Sequence, residues 1–348
     1  MELRDFSDRS PEQQTTYSND PIMDVGPNPN SGSNDSLRFR IDKTAPKGAA
    51  INGRRCNLDC IWCHNDYFSN GKFTSISNEE ILRIVSAVIR SSHSPKAVAR
   101  IAGNGEPTLS GEKELGNLIM TLHEIHEMDR VSMTSNGVLL KPMLPYLVDC
   151  GLNSITISLN SLSAGRFKYY SGRNNFDEVL KTLNAASKMA IELKINLIYT
   201  KLIKDEIQKL EELSSELGGV PIKIFDLLPN ENTRNIHLPL NALKVDLKKR
   251  SASHIASSHP YQQDTFVMPN GAVIIIKNAE QENPCPNTNC LFRSKCLEGC
   301  RHSVRIGLDG SIQPCGVRTD NRLKCMNRFP TDKEIHDALM SGGKLTSR

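Results

Sequence analysis

Between residues 37 and 230, short β-branched runs alternate with longer stretches whose apolar residues recur every three to four positions. That alternation admits few folds, because strands separated by helices pair in parallel and need those helices as cover. The candidate strands are LRFRID or GAAIN, then VARIAG, RVSMTSN, SITISLN, LKINLIYT and IKIFDLLP. Helical periodicity falls on SISNEEILRIVSAVIRSS, ELGNLIMTLHEIHEM, NFDEVLKTLNAASKMA and KDEIQKLEELSSELG. Ser77 followed by Glu80 fits a capping box, and the last run ends in glycines as a helix should. Six units are too few for a full eight-stranded barrel. The expected fold is α/β, a partial (βα)6 TIM-type barrel with its site at the strand C-terminal ends.

Residues 1–36 are rich in Ser, Asn, Asp, Gln and Pro and read as a disordered extension. Residues 37–230 carry the barrel pattern. Residues 231–348 read as a smaller, cysteine-rich unit, opened by a hairpin, TFVMPNGAVIII, around Asn270 and Gly271. No run approaches the roughly 18 apolar residues of a membrane span, and the N-terminus lacks a signal-peptide core. A cytoplasmic protein with no membrane partner is expected. The formal net charge of +4 is too mild to require nucleic acid.

Nine of the ten cysteines fall in or beside two groups. In a large cytosolic chain, clustered cysteines hold metal or do chemistry more often than they form disulfides. Cys150 stands apart and reads as a buried structural thiol. In RRCNLDCIWCHNDYF, Cys56, Cys60 and Cys63 are spaced so that a short loop can wrap one corner of a metal cluster. Three thiolates would leave one iron open for a substrate or cofactor. The same spacing also suits zinc with His64 as a fourth ligand, or reduced cysteines without metal. Three consecutive strands end in small polar residues: AGNGEP (Gly103, Asn104, Gly105, Glu106), TSNG (Ser135, Asn136) and SLNS (Ser158, Asn160). The glycines permit close backbone approach to a ligand. Downstream, Cys290, Cys296, Cys300 and Cys315, with Cys285 and Cys325 nearby, form a second metal-binding candidate, for which structural zinc is an alternative.

Together these motifs resemble the radical S-adenosylmethionine (SAM) superfamily. The resemblance implies that Cys56, Cys60 and Cys63 hold a [4Fe-4S] cluster whose fourth iron is chelated by SAM. One-electron cleavage of SAM would then give a 5'-deoxyadenosyl radical that abstracts hydrogen from the substrate. It implies a methionine-binding role for Gly103 to Glu106, a SAM-lining role for Ser135, Asn136, Ser158 and Asn160, and packing of Trp62 beside the cluster. An electron donor such as flavodoxin or ferredoxin is implied as partner. The downstream cysteines resemble a twitch-type module with a second, auxiliary [4Fe-4S] cluster.

Residues 37 to 330 are most similar to the GTP cyclase family that opens molybdenum cofactor biosynthesis, which implies a nucleotide-like or anionic small molecule. Lys201 and Arg305 would meet its anionic part. Several of that family's basic positions fall here on apolar residues, Ala49, Ala99, Ile101, and on Ser303. Arg100 sits one position out of register, so it is expected to face the other way on its strand. A peptide-modifying relative is the alternative, and a zinc-stabilised binding protein a third. No side chain is singled out as an acid or base. His123 and His126 are expected to be solvated flanks of a helix buried through Leu115, Leu118, Leu122 and Ile125, and Lys244 to Arg250 a solvated helix face.

Overall fold

The structure, a computed structural model, describes residues 37–44, 55–63, 76–92, 97–124, 128–227, 231–256, 263–277, 303–314, 322–325 and 328–341. The alternative first strand GAAIN, His64, His126, Ala49, residues 1–36 and Cys285, Cys290, Cys296, Cys300 and Cys315 lie outside them. The barrel strands are β1 (Leu37–Asp42), β2 (Ala97–Ala102), β3 (Arg130–Ser135), β4 (Ser154–Ser158), β5 (Glu192–Tyr199) and β6 (Ile222–Asp226). Helices α1 (Asn78–Ser92), α2 (Glu112–Glu124), α3 (Leu144–Asp149), α4 (Ala164–Ser171), α5 (Phe176–Ala186) and α6 (Ile207–Glu216) lie between or after them. Beyond residue 230 come α7 (Asn241–Arg250), β7 (Ser253–Ala256), β8 (Gln263–Val267), β9 (Val273–Lys277), β10 (Ser303–Ile306), β11 (Ile312–Gln313) and α8 (Asp332–Ser341).

Strands β1 to β6 pair in parallel in chain order, as βα units with short connections require. The described later strands join the same sheet. β9 pairs in parallel with β6 and carries the β8–β9 hairpin, while β10 pairs in parallel with β1 at the opposite edge. The hairpin closes where expected, with Gly271 at φ +82°.

The strands alternate, and the alternation separates two faces. Leu37, Phe39, Ile41, Ala99, Ile101, Val131, Met133, Ile155, Ile157, Ile195 and Ile224 are buried in one core with Ile81, Ile84, Leu115, Leu118 and Leu183 of the covering helices. A parallel sheet covered on both faces would read as continuous apolar runs. Here the alternate positions are largely polar or charged, so the other face lines the barrel interior. The capping box forms: Ser77 N–H donates to Glu80 Oε2 at 2.9 Å, and Glu80 N–H to Ser77 Oγ at 3.2 Å.

Two expectations are corrected. His123 is no solvated flank, because its ring nitrogens lie 2.9 Å from the Met128 carbonyl and 2.8 Å from that of Gly151, which ties the end of α2 to neighbouring turns. Arg100 does not face away from the interior. Ala99 and Ile101 are the residues packed under the helices, and Arg100, in register with Arg40 and Ser132, points inward. In the α7 run, Lys248 and Lys249 are solvated as expected, while Arg250 pairs with Glu211 and Asp246 and Lys244 with Asp264. Cys150 is buried.

Candidate active site

The cysteine loop lies at the C-terminal mouth of the barrel, held from two sides. On one side α4 straps it: Asp59 N–H donates to the Ser171 carbonyl at 2.7 Å and Ile61 N–H to that of Tyr170 at 3.0 Å. Trp62, 6% exposed, packs on the Tyr170 ring with centroids 4.6 Å apart. Gly172 ends α4 in the left-handed region, at φ +66°, and a Cβ there would stand 2.8 Å from Asp59 Cβ. The loop before α4 is fixed in turn by Glu206, a buried carboxylate that accepts from Ser161 Oγ, Leu162 N–H and Arg166.

On the other side stands the glycine run. Glu106 N–H donates to the Arg55 carbonyl at 2.8 Å, and Thr44 Oγ1 to the same oxygen at 2.8 Å. Gly105, at φ +143°, makes that approach possible, since a Cβ would lie 2.4 Å from Arg55 O. Glu106 is buried, and its carboxylate accepts from Thr108 N–H, Thr108 Oγ1, Ser135 Oγ and Asn136 N–H at 2.7–3.2 Å. Burial pushes its pKa up, and these four donors oppose the shift. Glu106 therefore joins the ends of β2 and β3.

Asn136 carries the join into the cysteine loop, its Nδ2 lying 2.7 Å from Asn57 Oδ1 and 3.6 Å from Cys56 Sγ. Cys56, Glu106, Ser135 and Asn136 thus form one hydrogen-bonded chain. Ser158 closes β4, and Asn160 Oδ1 accepts from Ile198 N–H on β5 at 3.3 Å.

Burial raises the Cys56 thiol to about 11 and pushes Cys60 further up. Thiols held as Cys56 and Cys60 are need a strongly electropositive partner to be thiolates, which an iron-sulfur cluster is. Among the described residues, no three His, Cys, Asp or Glu side chains converge to hold a single metal ion. The cysteines still act on one another electrostatically. Three mutually close thiols on one short loop fit the corners of a polynuclear cluster.

Of the two residues expected to meet a substrate anion, Arg305 is engaged within the protein. Its Nε donates to Asp42 Oδ2 and its NH2 to Asn104 Oδ1, both at 2.9 Å, and Asn104 Nδ2 donates to the same Asp42 oxygen. This triad links β10, β1 and the glycine run. Burial raises the Asp42 pKa, and Arg305, Arg40 and Arg55 pull it back. Lys201 is exposed on the turn after β5, and its Nζ donates to the Asn235 carbonyl at 3.1 Å.

Sequence reasoning passed over the barrel's inner wall. Arg38 and Arg40 of β1, Arg100 of β2, Arg130 of β3, Lys194 of β5, Lys223 of β6 and Lys277 of β9 occupy its inward positions, with Asp42 and Glu192 as acids. Burial brings Lys194 down to about 8, with Arg130 and Arg100 adding to the shift and Glu192 opposing it. Lys223 falls well below the usual lysine value, through burial first and then Arg100, Lys277 and Lys194. The signal was in the strands themselves, where LRFRID, VARIA, LKINLI and IKIFD place cations at every second position or alone on the inward face.

Residues 51–216 match the radical SAM superfamily. The matched span takes in the cysteine loop, the glycine run and β2 to β5. It is 28% identical over 284 residues to a protein of Saccharolobus islandicus named "Probable GTP 3',8-cyclase", covering 78% of this chain and 83% of the relative. A protein of the same name from Sulfurisphaera tokodaii is 26% identical over 288 residues, covering 82% and 85%. Among solved structures, native anSMEcpe with bound AdoMet superposes with a TM-score of 0.59 at 18% identity, over 87% of this chain and 81% of that one. Streptococcus suis SuiB bound to precursor peptide SuiA also gives 0.59, at 16% identity, over 89% and 66%. These likenesses are of fold. Among the described residues no helix is long and apolar enough to cross a membrane.

Proposed function

We propose that this protein is a radical SAM enzyme that abstracts hydrogen from an anionic, nucleotide-like substrate, in a cyclisation of the GTP 3',8-cyclase type or a close relative of it. One observation carries the substrate class: strand after strand of the inner wall presents Arg or Lys to the space where a substrate must lie. Guanidinium and ammonium groups suit phosphate oxygens, the first in bidentate fashion and the second as point charges. The curated relatives named as GTP cyclases agree with this reading.

Cys56, Cys60 and Cys63 would hold the [4Fe-4S] cluster, and the backbone of Gly103 to Glu106 with Asn136 and Asn160 would hold SAM. Once bound, the two supply a 5'-deoxyadenosyl radical. The protein orients: Glu106 locks the glycine run to the cysteine loop, Trp62 and Tyr170 shield it from water, and the cationic wall draws the substrate's anionic group inward. An auxiliary [4Fe-4S] cluster on Cys290, Cys296, Cys300 and Cys315 belongs to the same proposal, as does a flavodoxin- or ferredoxin-like donor.

A peptide substrate is the second reading, favoured by the fold shared with peptide-bound anSMEcpe and SuiB. Anaerobically reconstituted enzyme incubated with SAM, dithionite and a panel of nucleotides separates the two. Substrate-dependent 5'-deoxyadenosine with GTP or another nucleotide is expected, and turnover only with a peptide would replace this reading. About eight irons per chain are expected, and about four would remove the auxiliary cluster.

A further inference from the structure

The inner wall brings four cations together, and they are not chemically equivalent. Lys223 is the second residue of β6, in register with Asn196 on β5 and Ile275 on β9. By register Lys194, two residues before Asn196, and Lys277, two after Ile275, share its face, and among the described residues Arg100 from β2 acts on it with them. On its own strand its Nζ sits 5.4 Å from the Phe225 ring centroid, and Asp226 beyond is engaged by His237. Glu192, an acid on this wall, lies beside Lys194 and Arg130.

A guanidinium keeps its proton in such surroundings, whereas an amine can release it. Like charges gathered on one wall repel, and more strongly where water is excluded. Half-buried among three of them, the amine is the group that yields. An arriving polyanion reverses the balance, because each added negative charge favours the ammonium over the amine.

We propose that Lys223 is the proton-accepting member of this wall: the barrel receives its anionic substrate with Lys223 as a neutral amine, which takes one proton from solvent as the anion settles against it. The step is R–NH2 + H⁺ → R–NH3⁺, with no redox change and no leaving group. Arg100 supplies the fixed charge and Lys223 the charge that appears on binding. Affinity for the anion therefore falls as pH rises. The inference rests on the anionic-substrate reading above.

The test is calorimetric titration of the reconstituted, SAM-loaded enzyme with inorganic tripolyphosphate, and separately with GTP, at pH 7.5 in buffers of differing ionisation enthalpy. About one proton taken up per anion bound is expected for the wild type, and a value near zero for K223R with binding retained. Binding without proton uptake in the wild type overturns the role of Lys223 and leaves the anionic-substrate reading standing. So does uptake that survives K223R and disappears in K194R, which would assign the proton to Lys194. If neither tripolyphosphate nor GTP binds, the anionic-substrate reading itself falls and the inference with it. If K223R does not fold, uptake retained in K194R keeps the assignment to Lys223, and uptake lost there overturns it.

Discussion

The mouth of the barrel and its inner wall solve opposite electrostatic problems. At the mouth, the cysteine loop and glycine run are joined by neutral amides, hydroxyls and one carboxylate with four donors, so geometry is fixed and little charge is left over. On the wall, cations crowd together and one lysine is displaced far from its ordinary protonation. The mouth is built to hold one cofactor arrangement. The wall is built to be completed by something negative.

Variants that strike one region and spare the other test this contrast. The largest effect is expected from C60A, which should reduce 5'-deoxyadenosine formation from SAM and dithionite by about 10³-fold or more, as expected when an essential group is lost. Iron content should drop at the same time, and retained turnover would refute the cysteine assignment.

Next comes E106A. Removing a buried carboxylate that satisfies four donors should cost about 2–4 kcal/mol of stability, read from the urea midpoint of the folded protein. E106Q should recover part of this, because its amide oxygen still accepts. Equal loss in both variants would mean that charge, rather than hydrogen bonding, binds the two loops.

A pH comparison isolates the wall. Burial brings Lys194 down to about 8 in the folded chain, against about 10.4 for an ordinary lysine. Between those values the unfolded chain binds more protons, so wild-type stability rises with pH there. Relative to K194M, the wild type should gain up to about 3 kcal/mol from pH 7 to 10.5, measured as the difference in denaturant midpoints. Parallel curves would show that the folded site leaves Lys194 at its ordinary value.

The smallest effect is expected for R100A, which should raise KM for the anionic substrate about 10- to 100-fold, the value of one charge-assisted contact. SAM affinity should change far less. A matching loss of SAM affinity would erase the distinction between mouth and wall.

Much of this was legible in the chain. The six βα units declare themselves locally, because alternation and capping, as at Ser77 and Glu80, act within a few residues. The cysteine spacing is equally local. The wall was missed for a reason of comparison: Arg100 was judged against another family's positions, while the local alternation that buries Ala99 and Ile101 already turned it inward. Arg305 was read as an open cation because its partners, Asp42 and Asn104, lie 263 and 201 residues away in the chain. The straps from α4 onto the loop use backbone groups, which carry no side-chain signature.

The pairing of β1 with β10 also has a consequence for biosynthesis. Arg40 meets Arg305 across that pair, so one edge of the sheet stays uncovered while 265 further residues are translated. At about 5–20 residues per second this is roughly 13–53 s. Its other flank, β6, waits for β9. A ribosome-bound chain therefore carries two open strand edges, each a template for wrong pairing. Chains truncated after residue 230 should aggregate, and chaperone demand should be highest before the last 50 residues emerge.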